Sequence, residues 1–206
     1  MKAVVILAPG FEEIEALTPV DYLRRAGVEV VTAGIAEKGG SFDKVIEGAH
    51  GIKVLCDMSF EEFLQNQKNE LCDAVIIPGG MPGAANISAD DKVIEYIIKM
   101  AEAKKYVCAI CASPIVVLAK TGLLKDHNFT CYPGMEQKIS DFISDSEKID
   151  ELMDGAYLSH MKSFIIDDKI ITGKGPGAAE EFAMAIVKEL CGVDTMMRVR
   201  TSSCQR

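Results

Sequence analysis

The 206-residue sequence predicts an α/β fold in which helices cover both faces of a doubly wound parallel sheet. Short runs of apolar, β-branched residues alternate along the chain with longer amphipathic stretches, and glycine or proline bounds the runs. Strands that are buried on both faces have this composition, and amphipathic helices connect them. The sequence shows no internal repeat and no linker, so we expect a single domain over residues 1–206.

The strands come from four apolar runs and one hairpin. In chain order the runs are Ala3–Ala8, Val28–Ala33, Ala74–Ile77 and Tyr106–Ile110. Residues 163–167 and 169–172 are predicted as a β-hairpin that is added to the sheet, with its turn at Asp167-Asp168. The polar, glycine-rich stretch 35–51 is predicted as a loop that can hold a short strand.

The helices come from three stretches with apolar residues at helical spacing. Residues 12–26 form the first helix, which Pro19 is expected to kink or break and Gly27 to end. The second helix covers residues 90–103, and a third covers residues 176–190 and stops at Gly192. One face of the second helix carries its apolar residues, which are Val93, Ile94, Ile97, Ile98 and Ala101.

Charge and cysteine content exclude several classes of function. The chain has 22 Lys and Arg against 31 Asp and Glu, a net charge of −9, so nucleic acid and anionic membranes are not expected partners. No segment reaches the ~20 apolar residues of a transmembrane helix. The apolar start of the chain meets Glu12, Glu13 and Glu15 instead of a signal-peptide cleavage site. Seven cysteines, an odd number without a repeating spacing, indicate reduced thiols and a cytoplasmic location.

Ligands of doubly wound sheets bind beyond the carboxyl ends of the strands. This edge is predicted to carry residues 8–15, 78–84, 111–114 and 132–134. Glu12 and Glu13 are interpreted as solvated acids of a first helical turn. Glu15 has apolar neighbours, which favour a raised pKa and a protonated carboxyl. The glycines of Pro78-Gly79-Gly80 can turn backbone N–H groups toward an oxyanion.

Cys108 and Cys111 form a Cys-x-x-Cys motif. A structural zinc ion needs four ligands, and the sequence has neither a second such motif nor paired histidines among His50, His127 and His160. We therefore expect no metal. Cys108 lies inside a predicted strand, which favours a core position over a redox-active dithiol.

Cys111 lies where a strand ends and a helix over residues 115–121 begins, with Pro114 in its first turn and Gly122 as its C-cap. A side chain on such a tight turn projects at the sheet edge, as in hydrolase nucleophile elbows, although Gly-x-Ser-x-Gly is absent. The helix N-terminus favours the nucleophilic thiolate. The alternative is a buried, inert cysteine, and the local sequence does not decide between the two.

Several stretches match a known family in the same order, from about Lys2 to Leu190. They are residues 4–15, Pro19-Val20-Asp21, residues 24–27, Pro78-Gly79-Gly80, residues 109–112, Gly175-Pro176-Gly177 and Glu181-Phe182-Ala183. Together they resemble the DJ-1/ThiJ/PfpI superfamily, and within it the parkinsonism-associated deglycase branch. The strength of the resemblance lies in the order of the stretches, because no single motif is specific.

The resemblance implies a flavodoxin-like sandwich, a homodimer, and no cofactor or metal. It assigns the family's reactive cysteine to Cys111 and its partner acid to Glu15. The backbone N–H groups of Gly80 and Ala112 correspond to the oxyanion site. Arg25 matches an arginine near the family's pocket.

Two positions depart from the family pattern. A second pocket arginine falls near His50, and a histidine that is sometimes invoked as an acid/base falls on Tyr132. These departures are evidence against any mechanism that needs a Cys–His pair, and against tight binding of anions. Because no histidine follows Cys111 at the expected place, the protease and amidotransferase branches are disfavoured.

Three functions stay open at this point. The first is a cysteine-dependent glyoxalase or deglycase, in which the Cys111 thiolate and Glu15 act on methylglyoxal, glyoxal or glycated protein side chains. The second is a peroxide-responsive redox sensor or chaperone, in which Cys111 is oxidised to a sulfinate that Glu15 holds, without turnover. The third is a binding module for an unidentified metabolite.

Overall fold

The computed structural model describes residues 1–36, 42–67 and 70–205. The strands are β1 (Lys2–Leu7), β2 (Glu29–Gly34), β3 (Val45–Glu47), β4 (Lys53–Leu55), β5 (Met58–Ser59), β6 (Ala74–Ile77), β7 (Tyr106–Ile110), β8 (Asn128–Phe129), β9 (Tyr157–Leu158), β10 (Phe164–Asp167) and β11 (Ile170–Gly173). The α-helices are α1 (Glu13–Arg25), α2 (Phe60–Asn66), α3 (Gly83–Ser88), α4 (Asp91–Glu102), α5 (Ala119–Thr121), α6 (Ser146–Leu152), α7 (Ala179–Cys191) and α8 (Val193–Ser202). A π-helical turn, Pro114–Leu118, precedes α5, and 3₁₀ turns cover Glu136–Asp141 and Pro176–Ala178.

The described residues form a seven-stranded sheet in the order β10-β11-β7-β6-β1-β2-β5. All neighbours in this sheet are parallel except β10 and β11. The predicted α/β class and the parallel sheet between helices are confirmed. The predicted hairpin is also present, but its second strand pairs in parallel with β7, with Ile171 opposite Cys108. Only β10 is therefore an antiparallel addition at the edge of the sheet.

Alternate side chains of each central strand pack against opposite layers of helices. Val4 and Ile6 of β1 face the layer of α2, α4 and the π-helical turn, whereas Ala3, Val5 and Leu7 face α1, α7 and α8. All five side chains are fully buried. Because burying one Val, Leu or Ile side chain stabilises a protein by about 1.5–3 kcal/mol, the sheet is a rigid frame for the loops at its edge.

The predicted long elements agree closely with the structure. Strands β6 and β7 have the predicted bounds, and Asp90 is the N-cap of α4. Helix α1 runs without interruption through Pro19, so the expected break is absent. The helix continues past the proline because it packs along α7, and such packing offsets the loss of one backbone hydrogen bond.

Several short elements were not predicted, and one of them bears on the site. Strands β3 and β4 form a hairpin with Ile46 opposite Val54. Strand β3 lies in the stretch that was predicted as a loop able to hold a short strand, whereas β4 follows that stretch and was not predicted. Residues 37–41 of that expected loop lie outside the described residues. The Gly10 N–H donates to the Glu47 carbonyl at 2.8 Å, which attaches this hairpin to the loop after β1. Among the described helices, none is long and apolar enough to cross a membrane.

Candidate active site

Three loops converge at the carboxyl edge of the sheet, where the order of strands reverses between β1 and β6. The loop after β1 is bound to the loop after β6, because the Glu12 N–H donates to the Gly79 carbonyl at 3.0 Å and the Gly83 N–H to the Gly10 carbonyl at 3.1 Å. The turn after β7 joins them through Ser113, whose Oγ donates to the Pro78 carbonyl at 2.6 Å. Such a reversal point is the usual ligand-binding crevice of doubly wound sheets.

Cys111 lies on the strained turn that follows β7. Its φ is +66°, a left-handed conformation that costs a non-glycine residue on the order of 1–3 kcal/mol. Two hydrogen bonds hold the turn, from the Cys111 N–H to the Gly173 carbonyl at 2.9 Å and from the Tyr132 N–H to the Cys111 carbonyl at 2.8 Å. The π-helical turn then begins at Pro114, and Gly122 ends α5 in the left-handed conformation. The predicted strand-to-helix turn is therefore present, and its cysteine is 9% exposed.

Glu15 projects from the first turn of α1 toward Cys111 and is fully buried. Its Oε2 accepts the Gly79 N–H at 2.8 Å. A side chain cannot fit between the two groups, since a Cβ on Gly79 would lie 2.7 Å from both the Cys111 Cβ and the Glu15 Oε2. Glycine at position 79 thus allows the carboxyl and the thiol to approach each other.

The pKa values of this pair are shifted by burial. Burial raises the pKa of Glu15 to about 8, and the negative charge of Glu12 adds to this effect, so Glu15 is protonated at neutral pH, as its apolar sequence neighbours predicted. Burial also raises the pKa of the Cys111 thiol, as do the charge of an ionised Glu15 and the hydrogen bond between that carboxylate and the thiol. The backbone N–H groups of Ala112 and Gly80 lower the pKa of the same thiol. A protonated Glu15 carries no negative charge that would oppose ionisation of the thiol. Whether Cys111 is a thiol or a thiolate therefore depends on the proton of Glu15.

The backbone N–H groups of Gly80 and Ala112, which the resemblance assigns to an oxyanion site, both reach the Cys111 sulfur. Gly80 has φ +86°, and a Cβ there would lie 2.4 Å from the Glu12 nitrogen. Only glycine fits this position, because the clash involves backbone atoms that cannot move aside. Donors that converge beside a nucleophile stabilise negative charge on an attacked carbonyl oxygen.

Glu12 and Glu13 are buried, which corrects the expectation that they are solvated. Glu12 caps α1, since its Oε2 accepts the Glu15 N–H at 2.8 Å. The Glu13 carboxylate accepts the His50 N–H at 2.8 Å, and its other oxygen lies 2.8 Å from the His50 Nδ1. Although burial opposes it, the His50 hydrogen bonds hold the pKa of Glu13 below its usual value. Glu13 in turn raises the pKa of the exposed His50.

Tyr132 borders a cavity of about 290 Å³ beside the Cys111 turn. The Tyr132 side chain is half exposed, and its ring lies against Gly175, where a Cβ would be 3.2 Å from the ring. The cavity is lined by Tyr132, Pro133, Ser163, Lys174 and residues 175–178. Lys174 and Ser163 were not predicted as site residues, because they come from β-hairpin ends that the sequence does not place near Cys111.

Two remaining candidates lie away from the thiol. Arg25 is at the opposite end of α1 from Glu15, about 15 Å along the helix, where its Nε donates to Asp21 at 2.6 Å. The chain itself does not bring Arg25 to Cys111, so its place in a pocket stays a prediction. Cys108 is fully buried in the sheet, as predicted, and burial alone raises the pKa of its thiol.

The fold and this edge define an α/β protein with a cysteine on a strained strand-to-helix turn and a buried carboxyl beside it. The chain belongs to the DJ-1/PfpI family, whose family model matches residues 1–189. The family and fold that the sequence resembled are thereby confirmed.

Individual relatives match along nearly their whole length. The chain is 33% identical over 200 residues to the Parkinson disease protein 7 homolog of Danio rerio, a match that covers 97% of this chain and 94% of that protein. It is 31% identical over 192 residues to the glutathione-independent glyoxalase DJR-1.2 of Caenorhabditis elegans, covering 93% and 89% of the two chains. The crystal structure of Drosophila melanogaster DJ-1beta matches with a TM-score of 0.80 and 31% identity, covering 98% of this chain and 97% of that one. These relatives support a function of the DJ-1 type in a family that includes a glyoxalase.

Proposed function

We propose that this protein is a cysteine-dependent glyoxalase or deglycase that acts on methylglyoxal, glyoxal or their adducts on protein side chains. The observation that supports this most is the convergence of the Cys111 thiol, the protonated Glu15 carboxyl and the Gly80 and Ala112 N–H groups in one buried site. A nucleophile, a proton donor and an oxyanion site are the groups that addition to an aldehyde requires.

The first step is addition of the Cys111 thiolate to the aldehyde carbon of methylglyoxal. The new C–S bond turns the carbonyl oxygen into an alkoxide, which the N–H groups of Gly80 and Ala112 stabilise. The alkoxide takes the proton of Glu15, which gives a neutral hemithioacetal and leaves Glu15 ionised. The raised pKa of Glu15, about 8, suits this exchange near neutral pH.

The second step moves a proton between adjacent carbons. The Glu15 carboxylate removes the hydrogen of the former aldehyde carbon, which gives an enediolate, and the same proton returns to the neighbouring carbon. The hydroxyl proton on the first oxygen moves to the second oxygen, so that the first carbon becomes a carbonyl. The product is a 2-hydroxyacyl thioester on Cys111. Water then hydrolyses this thioester to lactic acid, and the proton of the released thiol passes to the Glu15 carboxylate, which restores the thiolate and the protonated acid. The sum is methylglyoxal plus water to lactic acid. No external oxidant or cofactor enters this sequence.

The experiment is lactate formation from methylglyoxal without glutathione, measured for the wild type and for Cys111→Ala. We expect turnover in the wild type and only the uncatalysed background in the variant. Cys108→Ser is the matched control, because it alters a cysteine three residues away that lies in the core. Turnover that survives Cys111→Ala, or a wild type without turnover, contradicts the proposal.

A second candidate, peroxide sensing, is favoured by the donors around Cys111. A sulfinate at this position would accept hydrogen bonds from the protonated Glu15 and from two backbone N–H groups, a set that no other described cysteine has. The seven cysteines are all free, which fits work in a reducing compartment such as the cytoplasm. We expect dilute peroxide to add two oxygen atoms to Cys111 before any other cysteine. Peptide mass mapping that finds Cys56, Cys131 or Cys204 oxidised first contradicts this role.

The homodimer is likewise a proposal. Ile14 of helix α1 lies beside the site, and 54% of it is exposed, so this helix carries an apolar side chain outside the face that packs in the core. An apolar side chain at this position is suited to contact with a second copy of the chain. Light scattering at micromolar concentration is expected to give twice the chain mass, and a mass near 22.3 kDa contradicts the dimer.

A further inference from the structure

Glu12, Glu13 and His50 lie together at the rim of the site, and the proposed chemistry uses none of them. One ligating atom from each of the three side chains lies within 4.8 Å of the other two. The carboxylates come from the turn that begins α1, and His50 comes from the turn between β3 and β4. We propose that these three side chains form a binding site for a divalent transition-metal ion, with Zn²⁺ as the probe.

The two negative charges of Glu12 and Glu13 are not balanced by two positive charges among the described residues. The side chains of Glu12 and Glu13 are only 8% and 4% exposed, whereas that of His50 is 69% exposed. Within the described parts of the chain, no lysine or arginine forms an ion pair with either carboxylate. Buried carboxylates need a compensating cation or a full set of hydrogen bonds, and a single imidazole supplies at most one positive charge.

One carboxylate oxygen is left without a hydrogen bond. Glu12 uses its Oε2 to cap α1, but its Oε1 accepts no hydrogen bond from any residue that the structure describes. This oxygen points toward the His50 ring, with its Nδ1 at 4.0 Å. The Glu12 side chain, only 8% of which is exposed, thus directs an oxygen without a described hydrogen bond toward a nitrogen that is itself a common metal ligand.

The separations suit a small transition-metal ion. Ligand atoms at 2.0–2.2 Å from a tetrahedral Zn²⁺ lie about 3–3.5 Å apart. The His50 Nδ1 is 2.8 Å from the Glu13 Oε2 and 4.0 Å from the Glu12 Oε1, so small side-chain rotations bring all three into range. An imidazole ligand favours Zn²⁺, Cu²⁺ or Ni²⁺ over Mg²⁺ and Ca²⁺, which prefer oxygen ligands only.

The surroundings of Glu13 hold it in the orientation that such a site needs. Its Oε1 accepts the backbone N–H groups of His50 at 2.8 Å and Ile52 at 3.4 Å. The hairpin backbone comes this close because Gly48 has no side chain, and a Cβ there would lie 2.3 Å from the same oxygen. Backbone N–H groups that hydrogen-bond to a metal-ligating carboxylate hold it in the orientation that the metal needs. With three protein ligands, a tetrahedral ion keeps its fourth position for water.

The experiment titrates the purified, reduced full-length protein with Zn²⁺ in competition with a chromophoric chelator. We expect one ion per chain, with affinity at least about tenfold weaker in His50→Ala and in Glu12→Gln. His127→Ala is the matched control and keeps the wild-type affinity. His127 is partly exposed, and among the described contacts its Nδ1 lies 2.7 Å from the Lys125 carbonyl instead of beside a carboxylate. No binding by the wild type at millimolar Zn²⁺, or wild-type affinity in His50→Ala, overturns the proposal.

Binding of Zn²⁺ to one or more of the seven cysteines would be the competing explanation for a positive titration. The absorption spectrum of a Co²⁺ complex distinguishes a cysteine site from the site at Glu12, Glu13 and His50. We expect the Co²⁺ complex to show ligand-field bands without a thiolate-to-cobalt charge-transfer band, and the same spectrum in Cys111→Ala. A charge-transfer band that disappears in Cys111→Ala assigns the ion to the reactive cysteine and overturns the site. Because no carbonyl substrate is present, these results do not depend on the proposed glyoxalase activity.

Discussion

Cys108 and Cys111 are only three residues apart, but one lies in a strand and the other in the turn after it, and their thiols have different surroundings. Cys108 lies inside β7, packs in the core between the sheet and α1 and α7, and contacts no charged group. Cys111 lies just past the end of β7, where φ of +66° aims its side chain at Glu15 and at two backbone N–H groups. Both thiols are buried, so exposure does not distinguish them. The difference comes from the partners that converge on one thiol and not on the other.

This comparison assigns reactivity to the junction of three loops rather than to the Cys-x-x-Cys spacing. Glu15 comes from α1, Gly79 and Gly80 from the loop after β6, and Ala112 from the turn after β7. The parallel sheet brings these segments together because its strands end at the same edge. A change that separates the partners therefore affects Cys111 and leaves Cys108 unaffected.

The largest expected effect is that of Gly79→Ala, which pushes the partners apart. The added Cβ would lie 2.7 Å from both the Cys111 Cβ and the Glu15 Oε2. We expect a destabilisation of about 2–3 kcal/mol in urea unfolding, together with loss of Cys111 reactivity. Gly177→Ala is the control, because the structure places nothing within 4 Å of its Cβ position. Equal stability and thiol reactivity in both variants would refute the close approach at Gly79.

The next effect is a pH dependence of stability that belongs to Glu15. Its pKa rises from an ordinary 4.5 to about 8 on folding, so the folded protein holds the proton more tightly than the unfolded chain does. The stability from this proton is present below about pH 4.5 and is lost as the pH rises toward 8. Between pH 5 and 8, we expect the wild type to lose on the order of a few kcal/mol relative to Glu15→Gln. Parallel stability curves for the two proteins would show that Glu15 is ionised in the folded state.

A smaller effect is expected in the strand itself. Cys108→Ser places a hydroxyl in the apolar core, where an unpaired polar group costs about 1–3 kcal/mol. Turnover and labelling at Cys111 are expected to stay within about twofold of the wild type, since additivity holds for sites without shared partners. Urea unfolding and turnover measured on the same preparation check this. A loss of turnover as severe as that in Cys111→Ala would restore the dithiol hypothesis.

The smallest effect is expected at Tyr132, whose backbone is hydrogen-bonded to Cys111. An imidazole exchanges protons near neutral pH whereas a phenol does not, so Tyr132→His adds an acid/base group next to the turn that carries Cys111. We expect turnover to rise by roughly severalfold, measured as lactate formation. Tyr132→Phe is the control and keeps the wild-type rate. An unchanged rate in a folded Tyr132→His variant would show that Glu15 alone handles the proton.

The sequence predicted the parts of the molecule that depend on local pattern. Continuous apolar runs predicted β6 and β7 with their observed bounds, and the Pro114 and Gly122 signals predicted the helix after Cys111. The two-residue strand β5 and the seven-residue helix α2 were missed, because neither forms a continuous apolar run and neither is long enough to show a clear period.

The candidate site was predicted only where family motifs or apolar neighbours marked it. The apolar neighbours of Glu15 in the sequence predicted its raised pKa. The sequence neighbours of Glu12 and Glu13 did not indicate that both of these side chains are buried. The contact between Glu13 and His50 joins residues 37 positions apart through the hairpin of β3 and β4. The sequence predicted only a loop with room for one short strand in this stretch, and not the pairing that positions His50. Zinc-site patterns in a sequence are paired cysteines or paired histidines, so one histidine and two glutamates from distant segments gave no such signal.

The central claim is that the proton of Glu15 supports the Cys111 thiolate, and the rate of Cys111 alkylation tests it directly. Iodoacetamide labelling near pH 6, followed by peptide mass mapping, is compared between the wild type and Glu15→Leu. We propose that the protonated Glu15 donates a hydrogen bond to the thiolate, in which case its removal raises the thiol pKa, and each pKa unit slows labelling about tenfold. We therefore predict that Cys111 reacts first in the wild type and at least about tenfold more slowly in Glu15→Leu. Faster labelling in Glu15→Leu would show that Glu15 acts as a repelling carboxylate, and would contradict the account.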